Sequence, residues 1–175
     1  MAIVIPTVTQ SLDWKDLRTS IKDCIKLVAP TAVVYSSWPL KYNIGQTVKL
    51  LQSDAYGGLV HAWMISIVSA NPRQEKIGGG DVSKNLLWDL DVRIWGFVGY
   101  QETHTDNTQD VAEDEVRAIT QILYMNQKNL GFGGSLKSIG LVEWGDIDTQ
   151  AFGDGNDVIV AQGILSVTTS ETLNI

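Results

Sequence analysis

The chain has 175 residues, of which 44% are hydrophobic and 19% charged, a formal net charge of −7 and one cysteine. This composition is typical of a soluble globular protein and excludes a disordered chain, and the lone Cys24 excludes an internal disulfide. Residues 1–100 hold ten bases and eight acids, whereas residues 101–175 hold three bases and twelve acids. Because phosphate contacts require Lys and Arg, the acidic second half disfavours a nucleic-acid surface there.

Targeting and membrane segments are not expected. No apolar run approaches the ~18 residues that a membrane-spanning helix needs. The start, MAIVIPTVTQ, lacks the basic n-region and the apolar length of a signal peptide. The sequence therefore predicts one domain, residues 1–175, with no membrane segment.

The first predicted element is a helix in SLDWKDLRTSIKDCIKLVAP, where apolar residues recur at helical spacing. Ser11 is the predicted N-cap, and Pro30 ends the run. Cys24 lies beside the apolar stripe, so we expect a core thiol rather than a nucleophile. TAVVYSSW then predicts a short strand, and PLKYNIGQTVKLLQSDAYGG predicts a loop with a short helix or strand around Val48 to Leu51.

Two long strands with a polar connection follow. LVHAWMISIVSA is apolar on both faces, which predicts a strand that is central or covered on both sides. LLWDLDVRIWGFVGY alternates between an apolar face, beginning at Trp88, and a second face with Asp89, Asp91, Arg93 and Trp95. The connection Asn71–Lys84 is too long for a tight turn of about two to five residues. It is therefore interpreted as an extended arm around residues 70–85.

The rest of the chain predicts a helix and two strands. NTQDVAEDEVRAITQILYMNQ has a helical apolar stripe and acids near its N-terminus, where the helix dipole favours them. Strands are predicted at roughly Ser138–Trp144 and Asp157–Thr169. The order α-β-β-β-α-β-β predicts an α+β fold, with a mostly antiparallel (mixed) sheet of about five strands, two helices packed on it and a long β-hairpin arm.

The acidic stretch DIDTQAFGDGNDVIV has some features of a calcium loop. Its carboxylates at Asp146, Asp148, Asp154 and Asp157 fit the oxygen positions of an EF-hand loosely. Ala151 stands where the sharp turn requires glycine, and predicted strands rather than helices flank the loop. An Asp- and Gly-rich hairpin connection is the better account.

Other chemical motifs are also weak. Asp89 and Asp91 have a spacing that a glycosidase pair could use, but Arg93 on the same face favours cross-strand ion pairs. GFGGSLKS departs from the phosphate-loop pattern and follows a helix rather than a strand. His61 and His104 make a poor metal case without a cysteine cluster. We therefore expect no catalytic residue, no metal and no cofactor, and no enzymatic activity.

The order of elements resembles the tail terminator and tail-completion proteins of long-tailed bacteriophages. The likeness covers an opening amphipathic helix, Ser11–Val28, the hairpin Leu59–Tyr100, the helix Asn107–Gln127 and a final strand pair ending DVIVAQGILSVTTSETL. The likeness depends on the order of the elements and on their general pattern of apolar and polar residues, and no residue motif in it is diagnostic. Proteins of this family form a hexameric ring that caps the tail tube and joins it to the neck below the capsid.

The resemblance implies a virion protein of the tail or neck, assembled in the host cytoplasm. The implied partners are further copies of the chain in a ring, the tail tube, the neck proteins and the sheath, with DNA passing through unbound. The residues expected at the subunit or tube interface are Arg73, Glu75, Lys76, Gly78, Gly79, Gly80, Asp89, Asp91, Arg93 and Trp95. Those expected at an acidic lumen or interface edge are Asp146, Asp148, Asp154 and Asp157.

Two alternatives remain open at this point. The nearer is another phage structural subunit, belonging to the neck, the completed head or the tail tube. The second, of a different class, is a module that binds a small molecule or calcium.

Overall fold

The computed structural model describes residues 7–10, 13–37, 44–74, 83–100, 105–127, 136–151 and 157–174. Its helices are α1 (Trp14–Val28), α2 (Ile44–Leu51) and α3 (Thr105–Met125), with a short 3-10 turn at Asp54–Tyr56. Its strands are β1 (Thr7–Gln10), β2 (Val33–Tyr35), β3 (Gln52–Ser53), β4 (Leu59–Gln74), β5 (Ser83–Gly99), β6 (Leu136–Trp144), β7 (Asp148–Ala151) and β8 (Asp157–Asn174).

The α+β class is confirmed, but the prediction of about five strands and two helices is too small. The described residues form a mixed sheet of seven strands, with the two-residue β3 pairing beside it, and three α-helices. The added strands β1 and β7 are four residues each and mostly polar, so no apolar alternation reveals them. The eight residues of α2 are too few to establish a helical period in the sequence.

Strand β8 organises the sheet. The order across it is β2, β4, β5, β8, and the far side of β8 pairs in turn with β7, β6 and β1. Only β2 against β4 is parallel; the other described pairs are antiparallel. β6 and β7 act as one interrupted strand, because the Gly145 N–H between them still donates to the Gln162 carbonyl at 2.9 Å.

Helix α1 begins two residues later than a Ser11 cap would place it. Asp13 is the N-cap, and its carboxylate accepts the Lys15 N–H at 2.8 Å. A carboxylate there also complements the positive end of the helix dipole. The buried stripe of Leu17, Ile21 and Ile25 faces the sheet.

The hairpin of β4 and β5 is longer than predicted. Asn71–Gln74, interpreted from the sequence as part of a loop-like arm, continue β4 and pair with Leu86–Asp89 of β5. The polar side chains of Asn71, Arg73 and Gln74 are compatible with a strand because they are exposed, and Pro72 is compatible because β4 is an edge strand there. The tip of the predicted arm, residues 75–82, lies outside the described residues.

Helices α1 and α3 cover one face of the sheet and form the main core. Two tryptophan rings fill this core above glycines of neighbouring strands: Trp63 lies over Gly96, and Trp144 lies over Gly163. A Cβ at Gly96 would stand 2.4 Å from the Trp63 ring, and one at Gly163 would stand 2.8 Å from the Trp144 ring. The missing side chains of these two glycines are therefore what lets the rings pack directly against the strand backbone.

Helix α2 covers only the beginning of the hairpin on the opposite face. Its Leu51 packs with β-strand residues in a second cluster: Val60, Ala62, Met64, Phe97 and Val158. Further along the hairpin, no described helix packs on this face. We call the part of this face from Ser66 to Arg73 of β4, with the facing residues of β5 and β8, the open sheet face.

Candidate functional site

The residues predicted at a subunit interface meet on the open sheet face. Asp89, Asp91, Arg93 and Trp95 alternate along β5 with the core-facing residues. Arg73 reaches the same face from β4, where its Nε donates to the Asp89 carboxylate at 2.7 Å. Arg73 and Asp89 remain 57% and 43% exposed, so a partner could reach both. Glu75, Lys76, Gly78, Gly79 and Gly80, predicted for the same interface, lie outside the described residues.

Asp89 is held by two strands at once. The Thr168 hydroxyl of β8 donates to its other oxygen at 2.7 Å. These hydrogen bonds from Thr168 and Arg73, with the charge of Arg73, hold the pKa of the Asp89 carboxyl below its ordinary value. The carboxylate is therefore ionised and fixed in the plane of the sheet surface.

Asp91 repeats this arrangement two residues along β5. The Ser69 hydroxyl of β4 donates to it at 2.6 Å, and the Ser166 hydroxyl of β8 donates at 3.3 Å. Both carboxylates therefore tie three strands together, Asp91 through two hydroxyl groups and Asp89 through one hydroxyl and the Arg73 guanidinium. A cross-strand ion pair, which the sequence favoured, is present between Arg73 and Asp89, whereas Asp91 is held by hydroxyl groups.

Arg93 and Trp95 occupy the boundary between the open sheet face and the second cluster. The Arg93 guanidinium lies 5.8 Å from the centre of the Trp95 ring, within cation–π range. Trp95 in turn packs against Phe97, with ring centres 6.1 Å apart, so part of its surface belongs to the core. The Nε of Arg93 is buried without a hydrogen-bond partner, so this nitrogen is closed to an incoming acceptor and the arginine presents its stacked guanidinium instead.

The acidic stretch is a hairpin in the described part of the chain. Asp148 begins β7 and Asp157 begins β8, and the two strands pair antiparallel with Ala151 opposite Asp157. Part of the connection predicted between the last two strands is thus itself a strand. Asp146, Asp148 and Asp157 are all exposed, whereas Asp154 lies outside the described residues.

Local hydrogen bonds account for part of this hairpin. Asp148 accepts its neighbour's N–H, from Thr149, at 2.7 Å. The Thr149 hydroxyl also meets the Tyr100 hydroxyl at 2.9 Å. Over the residues that can be described, no group of three His, Cys, Asp or Glu side chains is arranged to hold a metal ion.

A buried polar network lies on the helix-covered face and was missed by the sequence analysis. His61 of β4 is 1% exposed, and its Nε2 lies 2.9 Å from one Glu115 oxygen. The Trp63 indole N–H donates to the other Glu115 oxygen at 2.8 Å. Glu115 comes from α3, so one carboxylate connects that helix to two residues of β4.

The far side of the imidazole is also bonded. His61 Nδ1 lies 3.1 Å from the Thr31 hydroxyl, and the Thr31 carbonyl accepts the Ser53 hydroxyl at 2.5 Å. The Tyr56 ring packs on the imidazole, with centres 4.3 Å apart. Burial, and then the Glu115 charge, raise the pKa of the Tyr56 hydroxyl.

A hydroxyl–imidazole–carboxylate chain has the composition of a nucleophile relay. Here, however, the carboxylate is shared with Trp63 and the imidazole is almost fully buried. The arrangement satisfies the buried polar groups and fixes α3 on the sheet. One sequence signal was available: Glu115 falls between Ala112 and Ile119, inside the apolar stripe of α3.

The fold and these surfaces define an α+β protein with one sheet face covered by helices and the other partly open. No helix within the described ranges is long and apolar enough to cross a membrane. Neither protein-family models nor curated proteins give a match to this chain.

Proposed function

We propose that this chain is a structural subunit of a phage virion, a tail terminator whose copies form a ring on the tail tube. The observation that carries the proposal is the open sheet face, where charged side chains are ordered but remain accessible. Asp89 is fixed by Thr168 and Arg73, and Asp91 is fixed by the hydroxyls of Ser69 and Ser166. Arg93 stacks on Trp95 beside them. A rigid, pre-ordered polar surface lowers the entropy cost of binding a partner.

The order of the larger elements also supports the proposal. An amphipathic helix, a long hairpin, a second long helix and a final antiparallel strand pair follow one another as in the tail terminator family. The proposed role is assembly rather than catalysis. The ring would cap the tube, join it to the neck and pass DNA without binding it.

The acidic hairpin suits a surface that DNA passes. Asp146, Asp148 and Asp157 are exposed at one end of the sheet, and an acidic surface repels phosphate groups. We assign these residues to the lumen or to a ring edge. Their substitution by asparagine should leave ring formation intact. It should also increase the retention of DNA on a column that carries the immobilised protein.

The proposal is tested first by the state of the purified chain and by its effect on tail tubes. Native mass spectrometry and negative-stain microscopy should show a ring, alone or after addition of the tube protein from the same genome. Added chain should also halt tube elongation. A chain that stays monomeric with the tube protein present, and leaves tube lengths unchanged, would refute the role.

The open sheet face is tested by a charge reversal at Arg93. Arg93→Glu should abolish tube binding, because it removes the cation that stacks on Trp95. Arg117→Glu is the matched control: that arginine is 70% exposed on α3 and makes only a weak pair with Asp114 at 3.4 Å. Equal effects of both reversals would contradict the assignment of the interface to the open sheet face.

A further inference from the structure

Two edges of the sheet carry no paired strand among the described residues. On one side, β2 and β3 pair with β4 only over Leu59–Met64, so β4 is unpaired on its outer side from Ile65 to Gln74. On the other side, β6 pairs with β8 alone. Exposed edges invite the addition of a further strand.

The two edges lie at the same height in the sheet. Ile65 of β4 is opposite Ile94, Ile94 is opposite Gly163, and Gly163 is opposite Trp144 of β6. Near the other end of the edges, the same succession runs from Asn71 through Asp89 and Thr168 to Ser138. The two open edges therefore bound one four-stranded section, β4-β5-β8-β6. Two copies joined along these edges must diverge beyond Trp144, because β7 of one copy would otherwise meet β2 and β3 of the next.

The strand directions allow these edges to meet. Each neighbouring pair in the four-stranded section is antiparallel, so β6 runs opposite to β4. A second copy placed beside the first in the same orientation would therefore bring its β4 antiparallel to the first copy's β6. Such a contact joins two different surfaces and can be repeated around a ring.

Each edge also carries one exposed apolar residue within an irregularity. Val68 of β4 is 44% exposed and lies at the register shift between Ile67 and Ser69. Leu141 of β6 is 57% exposed and lies at the register shift between Ile139 and Val142. Val68 and Leu141 are the exposed large hydrophobic residues found on described strands.

These two residues are also level with each other. Ile67 is opposite Val92, Val92 is opposite Leu165, and Leu165 is opposite Val142, the residue next to Leu141. A bulge normally protects an edge, because an arbitrary strand cannot continue the ladder past it. A strand whose own irregularity falls at the same height is compatible with that edge, and the two apolar side chains would then be covered together.

We propose that β6 of one copy pairs antiparallel with β4 of the next, with Leu141 packed against Val68. The inference rests on the proposed function in that it supplies the contact that repeats around the ring. It identifies the partner of both edges as a second copy of this chain. The open sheet face, which is perpendicular to these edges, stays available for the tube.

Disulfide trapping tests this pairing in the full chain. Cys24 is first replaced by serine, and Val68→Cys and Leu141→Cys are made in separate chains. Within one chain the two positions are three strand spacings of about 4.8 Å apart, about 14 Å in all, so they cannot bridge internally. A disulfide requires Cα atoms within about 7 Å.

A mixture of the two single-cysteine chains should form a disulfide-linked dimer on mild oxidation, and neither chain alone should do so. A chain with both cysteines should give a ladder of multimers. Tyr124→Cys, at a 60% exposed residue of α3, is the control partner for Val68→Cys. The pairing is overturned if the mixture cross-links no faster than this control, or if Val68→Cys alone dimerises as readily.

A charge test follows the same logic in a way that does not depend on oxidation. Val68→Glu and Leu141→Glu should each dissociate the ring without unfolding the chain, because both side chains are exposed. Val68→Glu mixed with Leu141→Lys should associate again, and Tyr124→Glu should have no effect. Association that is unchanged in both glutamate variants would overturn the pairing.

The outcomes separate this inference from the proposed function. A wild-type ring that gives no cross-link between positions 68 and 141 refutes the edge pairing and leaves the ring role standing. A cross-linked ring that neither binds the tube protein nor halts its elongation supports the edge pairing and refutes the terminator role.

Discussion

Alanine at Gly96 tests whether the bare glycine surface under Trp63 determines the packing of the main core. The new Cβ would lie 2.4 Å from Cη2 and 2.5 Å from Cζ3 of the indole, whereas ordinary contact begins at 3.4 Å. The ring must therefore move by about 1 Å, the difference between 3.4 Å and 2.4 Å. It is fully buried, held by Glu115 through its N–H at 2.8 Å, and in edge contact with Trp144 at 5.9 Å.

Overpacking of this kind costs about 1–3 kcal/mol. The lower chain entropy of alanine in the unfolded state returns about 0.4–1 kcal/mol, which limits the net loss to about 2.6 kcal/mol. Because the overlap at Gly96 is severe, a net loss of about 1–2 kcal/mol is expected. For a chain of this size that loss corresponds to a fall of about 2–8 °C in the melting temperature. Urea unfolding followed by tryptophan fluorescence gives the free energy directly.

Gly145→Ala is the control, because its Cβ would have no neighbour nearer than 3.7 Å. The control should remain within about 0.5 kcal/mol of the wild type. Trp63→Phe removes the outer ring atoms that would meet the new Cβ. The double variant with Gly96→Ala should therefore lose less free energy of unfolding than the sum of the losses in the two single variants. A Gly96→Ala chain as stable as Gly145→Ala, or strictly additive changes in the double variant, would refute the reasoning.

Three further predictions concern Glu115, Asp89 and Cys24. Glu115→Ala should lower the free energy of unfolding in urea by about 2–4 kcal/mol, because it leaves the buried ring nitrogens of His61 and Trp63 without their hydrogen-bond partner. Glu115→Gln should cost less. A loss under about 1 kcal/mol for the alanine variant would count against the network. Asp89 has a lowered pKa, so its stabilisation is present above the unfolded pKa of about 3.9 and is lost as the pH falls through the lower folded value. Asp89→Asn should therefore flatten the acid limb of the stability profile, by less than about 1 kcal/mol because the pair is exposed, and an unchanged limb would exclude the effect. Burial, and then the charge of Asp23, raise the pKa of the Cys24 thiol, so iodoacetamide should react with it slowly at neutral pH. Asp23→Asn should shift the midpoint of the pH–rate profile downward. An unmoved midpoint would show that the aspartate does not raise this pKa.

Apolar periodicity predicted the parts of the fold where one face of an element is buried. The stripe of α1 and the apolar face of β5 from Trp88 to Ile94 lie in the main core as expected. Periodicity failed where stability comes from strand pairing instead. Thr7–Gln10 and Asp148–Ala151 are strands because β8 supplies their hydrogen-bond partners, and their own side chains do not reveal it.

The candidate site was predicted in a similar, partial way. Alternation along β5 placed Asp89, Asp91, Arg93 and Trp95 together, because the period of a strand is fixed. The partial burial of Trp95 depends on the second cluster, which includes Leu51 of a helix that the sequence left open. The pairing of Glu115 with His61 spans 54 positions along the chain, and a contact of that separation has no local signature.

The position of β8 has a consequence for folding during synthesis. This strand, Asp157–Asn174, comes after the other described elements in the chain, yet it pairs with β5 along one side and with β1, β6 and β7 along the other. Until it has left the ribosome, those four strands lack their common partner, and the apolar edge of β5 is open to other chains. Non-local pairing of this kind is slow and exposes intermediates to aggregation. Chains that stop before Asp157 should therefore accumulate as insoluble material or remain bound to chaperones.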